Sequence, residues 1–500
     1  MALLPVLICL ISNLTFGQTS NDIQHLIIYT KDYKTEAETL QKYRTANGIP
    51  SMAKCAEDIF SEASADPTYC SGYESECYLK TTDTIDGVNS GAYEGLFGLG
   101  TKTDDKIQDY AGLIRAYIRK IKATNPLKYV VLMGDPNKIP PRFTQQKKSA
   151  PMYKYIGTRD ITIPTDFYYS EVFLKWKPND RSNYMHLYKP KGDEEFVKYP
   201  FARVFNTPPG NQAPNCVNSM SDLPSIPPGD NTIASYITIP ESSFPQLMAV
   251  GRITAKPAHG DMSIGAYITR LKKWEKNTIS TPIVVVTSND ASEDGRLKED
   301  AIALLKASDY AKDIRFIYPE KEDMSSNVKT INETGFSVMW PEGHGCPESI
   351  CVKYCSKSPS VAQFVYPTSF VNTSGKANGF VISTACEIIG YVGTNHDAYN
   401  DYKDKKTLGE KVLSTSTVGV YGNYLAGTKG DDFTNIALLN SIYKLSKNNK
   451  KATIGDALLE VYKGILTQTP LPGTKNYPTE YQLLNRVYLG DPAAKIQEGK

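Results

Sequence analysis

The chain has 500 residues, 40% of them hydrophobic, enough for two or three packed layers and too many for one simple core. Lysine and arginine number 56 against 54 aspartates and glutamates. That balance leaves no electrostatic footprint for nucleic acid or an anionic membrane, so a general polyanion binder is excluded.

Residues 1–11 form an apolar run broken only by Pro5, followed by polar Ser12-Asn13. This reads as a signal peptide, residues 1–17, cleaved near Gly17. It is too short for a membrane anchor, which takes about 20 apolar residues, and no later segment qualifies. The expected location is therefore secreted, outside the cell.

Residues 25–30 then read as a strand and 36–47 as a helix closed by Gly48-Ile49-Pro50, the opening of a β-α unit. The Cys-, Gly- and Asp-rich stretch 63–100 is expected to be an inserted loop, stapled by Cys70 and Cys77. Residues 109–124 follow as a basic amphipathic helix. Tyr129-Val130-Val131-Leu132-Met133 is a fully apolar strand running into the turn Gly134-Asp135-Pro136. Residues 175–240, rich in Pro, Gly, Asn and Ser, are expected to be long surface loops. Order returns with a strand at 248–253, a helix at 264–275 and a strand at 282–287.

A boundary between 255 and 260 divides the mature chain into an N-terminal unit, 18–258, and a second unit, 259–500. The second contains a helix at 299–308 and strands at 313–318, 336–340, 379–383 and 417–421. Helices at 432–445 and 454–467 follow, and Tyr488-Leu489-Gly490-Asp491-Pro492 closes the unit. Alternating strands and helices predict an α/β fold of two stacked α/β/α subdomains whose sheets are mostly parallel and covered on both faces.

Two of these strands lead into chemistry. Gly343-His344-Gly345 follows the strand at 336–340, and Ser383-Thr384-Ala385-Cys386 ends the strand at 379–383. Parallel pairing would set both side chains at the carboxyl edge of one sheet, where α/β proteins build sites. A thiol needs a nearby base to become a thiolate at neutral pH, and His344 can supply it to Cys386. Glycines beside His344 and small residues before Cys386 would let backbone amides approach a substrate oxyanion. The pattern predicts a cysteine peptidase.

Nine cysteines fit an oxidising compartment. With Cys9 in the signal and Cys386 as nucleophile, the others fall into a front group (Cys55, Cys70, Cys77, Cys216) and a cluster after His344 (Cys346, Cys351, Cys355). Disulfides pinning each region, with one thiol left over or joining the halves, are the expected reading, ahead of a zinc site lacking a fourth ligand. Asn332-Glu333-Thr334 and Asn372-Thr373-Ser374 match the N-glycosylation pattern.

The chain resembles the gingipain family of cysteine peptidases, which have a caspase-like fold. The likeness rests on 129–140, Thr165-Asp166-Phe167-Tyr168-Tyr169, Val250-Gly251-Arg252-Ile253 and Gly343-His344-Gly345. It continues through Ser383-Thr384-Ala385-Cys386-Glu387, Thr453-Ile454-Gly455-Asp456-Ala457 and Leu489-Gly490-Asp491-Pro492, in that order. It implies a His344–Cys386 dyad, with the amides of Gly345 and Cys386 as oxyanion hole. A third, acidic residue orienting the histidine would come from the loop after 282–287. Asp290 is the choice there, with Glu293 and Asp294 close behind; an Asn-Asp pair in that place also suits a helix cap or turn. Protein or peptide substrates follow. The resemblance allows structural calcium, although no Asp cluster forms a recognisable ligand loop, and no cofactor is expected.

His25, His186, His259 and the His396-Asp397 pair suit structural or surface roles better than catalysis. No H-E-x-x-H, G-x-x-x-x-G-K-[ST] or G-x-S-x-G motif is present, so metalloprotease, P-loop and hydrolase-elbow chemistry lack their signatures. The competing class is a catalytically silent secreted relative serving as an adhesin or binding protein. A transpeptidase is a further reading, since an amine can intercept the same thioester.

Overall fold

The computed structural model describes residues 22–497 apart from 81–83, 86–87, 90–98, 104–105, 137, 147–160, 174, 179–184, 189–200, 203–245, 256–263, 277–281, 289–296, 298, 319–323, 347, 354–362, 371–376, 386–387, 390–406, 425–430, 450, 467–482 and 484. One ten-stranded sheet organises them. Its strands are β1 (His25–Tyr29), β2 (Ser51–Cys55), β3 (Tyr129–Gly134), β4 (Ala249–Thr254), β5 (Ile283–Val286), β6 (Ile314–Ile317), β7 (Val338–Pro341), β8 (Asn378–Ile382), β9 (Thr417–Asn423) and β10 (Arg486–Gly490). The spatial order is β6-β5-β7-β8-β9-β10-β4-β3-β1-β2. Every residue of β3, β4, β5, β7 and β8 is buried, as expected of parallel strands covered on both faces.

The α/β class and mostly parallel sheet match the expectation. β10, the last strand among the described residues, lies between β9 and β4, antiparallel to β9 and meeting β4 where Leu489 faces Arg252. The longer helices among the described residues are α1 (Lys34–Ala46), α2 (Ala56–Ala65), α3 (Tyr110–Thr124), α4 (Ile264–Lys276), α5 (Glu299–Ala307), α6 (Met324–Thr334), α7 (Leu408–Thr415), α8 (Asp431–Asn448) and α9 (Ile454–Leu466). α4 contacts both α1 and α7, while α8 contacts both α5 and α9. Their starts are locally encoded. Asp109 caps α3 by accepting from Gly112 N–H at 3.0 Å. Thr453 and Asp456 cap α9 reciprocally, each side chain accepting from the other's backbone N–H, at 3.0 and 3.1 Å.

Three expectations need correction. The stretch 63–100 contains the end of α2, a helical turn at Glu74–Cys77 and strands at Tyr78–Lys80 and Leu99–Thr103, which flank Lys106–Asp109 in a small antiparallel sheet. Short polar strands without strong alternation left no signal there. The Cys70–Cys77 disulfide does form. Within 175–240, Lys175–Pro178 and Met185–Tyr188 pair as a hairpin. Asn332 lies on α6, fully buried, its amide donating to Phe370 O, so it is no glycan acceptor; 372–374 lie outside the described residues. Residues 1–17 also lie outside them.

A buried ionic cluster fastens the two ends of the chain. Asp491, just past β10, lies 3.2 Å from His25 Nε2 at the start of β1 and accepts from Arg44 Nε of α1 at 2.6 Å. Arg44 Nη1 donates to Glu275 Oε1 of α4 at 2.7 Å, and Tyr43 OH donates to Glu275 Oε2 at 2.7 Å. The Ser51 hydroxyl donates to Ile49 O at 2.7 Å, and its Oγ lies 3.1 Å from His25 Nδ1. Arg44, His25 and Asp491 are each 0% exposed.

Candidate active site

β5, β7, β8 and β9 lie side by side and parallel, with Val286 opposite Pro341, Met339 opposite Val381 and Ile382 opposite Tyr421. The segments leaving β7 and β8 therefore emerge together at one edge. Behind Pro341 come Glu342, Gly343 and His344. Glu342 N–H donates to Val286 O at 2.8 Å, holding this segment against the end of β5. His344–Cys346 then pairs antiparallel with Ser349–Lys353, His344 opposite Cys351, and Gln363–Val365 completes a three-stranded flap. His344 is exposed at the base of that flap. A Cβ on Gly343 would stand 2.1 Å from Cys351 O, so only glycine lets the histidine segment pass this close to the flap.

The segment after β8 is held from both sides. Ser383 Oγ donates to Pro341 O at 2.7 Å and accepts from Ala385 N–H at 3.1 Å. Thr384 Oγ1 donates to Glu342 Oε2, and Thr384 O accepts from Asn423 Nδ2 at 2.8 Å. From β10, Arg486 Nη2 donates to Ser383 O at 3.1 Å. Ser383, Thr384 and Ala385 are buried, so the small residues before the cysteine serve close packing against the neighbouring strand ends. Cys386 itself, with Glu387, lies outside the described residues, as do Asp290, Glu293, Asp294 and His396. The backbone leads into Asp290 from Thr287 and Ser288, both buried at the end of β5, the strand beside β7.

Sequence reasoning missed Glu342. It is 7% exposed, and its Oε2 accepts from Trp340 Nε1 at 2.9 Å as well as from Thr384. Burial pushes its carboxyl well above the usual range, and the neighbouring charges of Asp432 and Asp431 push the same way. The hydrogen bonds from Thr384 and Trp340 act in opposition without prevailing. A glutamate directly after a continuous apolar strand was the available signal. The cysteines of the flap are oxidised at Cys351, and Cys55 is free and buried. Among the described residues no group of three or more His, Cys, Asp or Glu is placed to hold a metal ion.

A mostly parallel sheet whose adjacent strands deliver a Gly-His-Gly segment and a small-residue segment ending in cysteine defines a caspase-like α/β protein. The crystal structure of the Arg-specific cysteine proteinase gingipain R (RgpB) superposes with a TM-score of 0.52 at 14% identity, covering 96% of this chain and 80% of that one. The complex of Porphyromonas gingivalis RgpB pro- and mature domains gives 0.52 at 15% identity, covering 95% and 80%. A third structure, of a protease, gives 0.50 at 11% identity, covering 95% and 79%. At such identities the likeness is one of fold. No curated protein matches the sequence significantly. The model of peptidase family C25 matches residues 18–497, and the chain belongs to that family, the gingipain family of cysteine peptidases.

Proposed function

We propose that this protein is a secreted cysteine endopeptidase in which Cys386 is the nucleophile and His344 the general base. The observation that carries the reading is the joining of the two segments across the β7–β8 boundary: Ser383 to Pro341, three residues short of the dyad positions on both sides, and Thr384 to Glu342, two residues short. His344 takes the thiol proton and the thiolate attacks the scissile carbonyl carbon. The tetrahedral oxyanion is held by the amides of Gly345 and Cys386. Collapse breaks the C–N bond, His344 returns the proton to the leaving amine, and a thioester remains on Cys386. Water, deprotonated by His344, then releases the acid and the free thiol. An amine in place of water would give transpeptidation, which partitioning with an added amine nucleophile would reveal. Secretion is supported by the apolar segment within residues 1–17 and by the Cys70–Cys77 disulfide, a bond of oxidising compartments.

The test is labelling of the purified, folded protein with peptidyl acyloxymethyl ketones bearing Arg, Lys, Asn or Asp at the reactive position, the adduct being located by mass spectrometry. Adduct on Cys386 is expected and reads out specificity at once. A folded protein unlabelled by every probe would leave the silent binding relative as the better account.

Asp290, following the end of β5, is proposed to orient His344. Asp290→Asn is expected to lower kcat on the order of 10²-fold, less than loss of the base itself. Parent-like turnover would move the role to Glu293 or Asp294.

A further inference from the structure

We propose that Glu342 is a positioning residue that holds the histidine and cysteine segments in register through one buried carboxyl oxygen; the inference rests on the His344–Cys386 reading. Its Oε2 accepts from Trp340 Nε1, fixed in β7, and from Thr384 Oγ1, on the segment that ends in Cys386. Its own N–H is pinned to Val286 O at 2.8 Å. One residue thus ties the ends of β5, β7 and β8, its backbone to β5 and its side chain to β7 and the segment after β8, with His344 two residues beyond it and Cys386 two residues beyond its partner Thr384. A base and a nucleophile on separate strand-end segments keep a reactive spacing only if those segments cannot slide, and a misplacement of about 1 Å can cost on the order of 10²-fold in rate.

The surroundings specify which form of the carboxyl does this. The charges of Asp431 and Asp432 on α8 act on it, Thr384 donates to it from the cysteine segment and Trp340 from β7. Asn423 Nδ2, which donates to Thr384 O, also donates to Asp431 Oδ2 at 3.0 Å, so the acids and the cysteine segment share a partner. Beside two aspartates and shielded from water, a neutral carboxyl still offers an acceptor oxygen to Thr384 and Trp340. Glutamine has the same reach and the same polarity of groups. Aspartate keeps the titratable group and falls one methylene short.

Glu342→Gln, Glu342→Asp and Glu342→Ala would be compared with the parent in kcat, KM, thermal midpoint and the rate of Cys386 alkylation by iodoacetamide across pH. Glu342→Gln is expected to stay within about threefold of the parent in kcat. Glu342→Asp and Glu342→Ala are expected to lose on the order of 10- to 100-fold in kcat, with KM nearly constant and alkylation of Cys386 slowed at neutral pH. A loss of thermal midpoint in the aspartate or alanine variant with parent-like kcat and alkylation would reduce Glu342 to a structural residue and overturn the proposal. So would a Glu342→Gln variant as impaired as Glu342→Ala, because the charge rather than the bridge would then matter. A folded parent that neither turns over peptide nor alkylates at Cys386 overturns the dyad and this inference together, whereas a labelled, active parent with unaffected variants overturns this inference alone.

Discussion

Cys386→Ala and His344→Ala are each expected to lower kcat for peptide hydrolysis by about 10⁴-fold or more while leaving the fold intact. Neither side chain is asked to hold the sheet together: His344 is exposed at the base of the flap, and the segment reaching Cys386 is secured by Ser383, Thr384 and Asn423. Thermal midpoints should therefore stay close to that of the parent. The two losses should also fail to add, because a thiol without its base and a base without its thiol abandon the same step. A double variant no worse than either single one is the expected result. Turnover persisting in purified Cys386→Ala would end the dyad assignment.

Asp491→Ala is expected to destabilise the protein by about 3–5 kcal/mol, the usual consequence of stranding a buried charge. Arg44 would keep Glu275 but lose the carboxylate at its Nε, and His25 would lose the group facing its Nε2, both fully out of solvent. Asp491 accepts in addition from Ala493 N–H at 2.9 Å, so the backbone turn after β10 would loosen as well. Although burial opposes ionisation of this carboxyl, Arg44 and His25 overcome it and hold the group well below the usual carboxylate range. A carboxyl depressed in the folded state binds fewer protons there than in the unfolded chain. Its stabilisation is thus complete above the unfolded value of about 3.9 and is lost as pH falls below it toward the folded value. Chemical denaturation of parent and Asp491→Ala should accordingly differ most near neutral pH and converge in strong acid. A constant gap down to strong acid would show that packing, not the ion pair, carries the effect.

Neither effect touches the other's region. Asp491 sits at the end of β10 that reaches the start of β1, while Arg486, at the opposite end of the same strand, faces Asn423 and donates to Ser383 O in the cysteine segment. β10 thus connects the cluster around Asp491 with the segment that leads to Cys386.

The sequence by itself determined most strands and helices of the large sheet and pointed to His344 and Cys386 as a candidate pair. Continuous apolar runs such as Tyr129-Val130-Val131-Leu132-Met133 admit only a strand buried on both faces, and the Thr453–Asp456 cap marks the start of its helix within four residues. The Gly-His-Gly and Ser-Thr-Ala-Cys segments were legible because each follows such a strand directly. Only the tertiary structure decided which strands are neighbours. Buried parallel strands present much the same apolar faces, so little in their composition distinguishes one partner from another. The placement of β10 between β9 and β4 rests on contacts between residues far apart in the chain. Glu342 could be noticed as a glutamate closing an apolar strand, but its role was illegible for the same reason. Its significance lies in Thr384 and the α8 aspartates, brought to it by strand order and helix packing, and a buried carboxyl acquires its chemistry from the groups around it rather than from its neighbours in sequence.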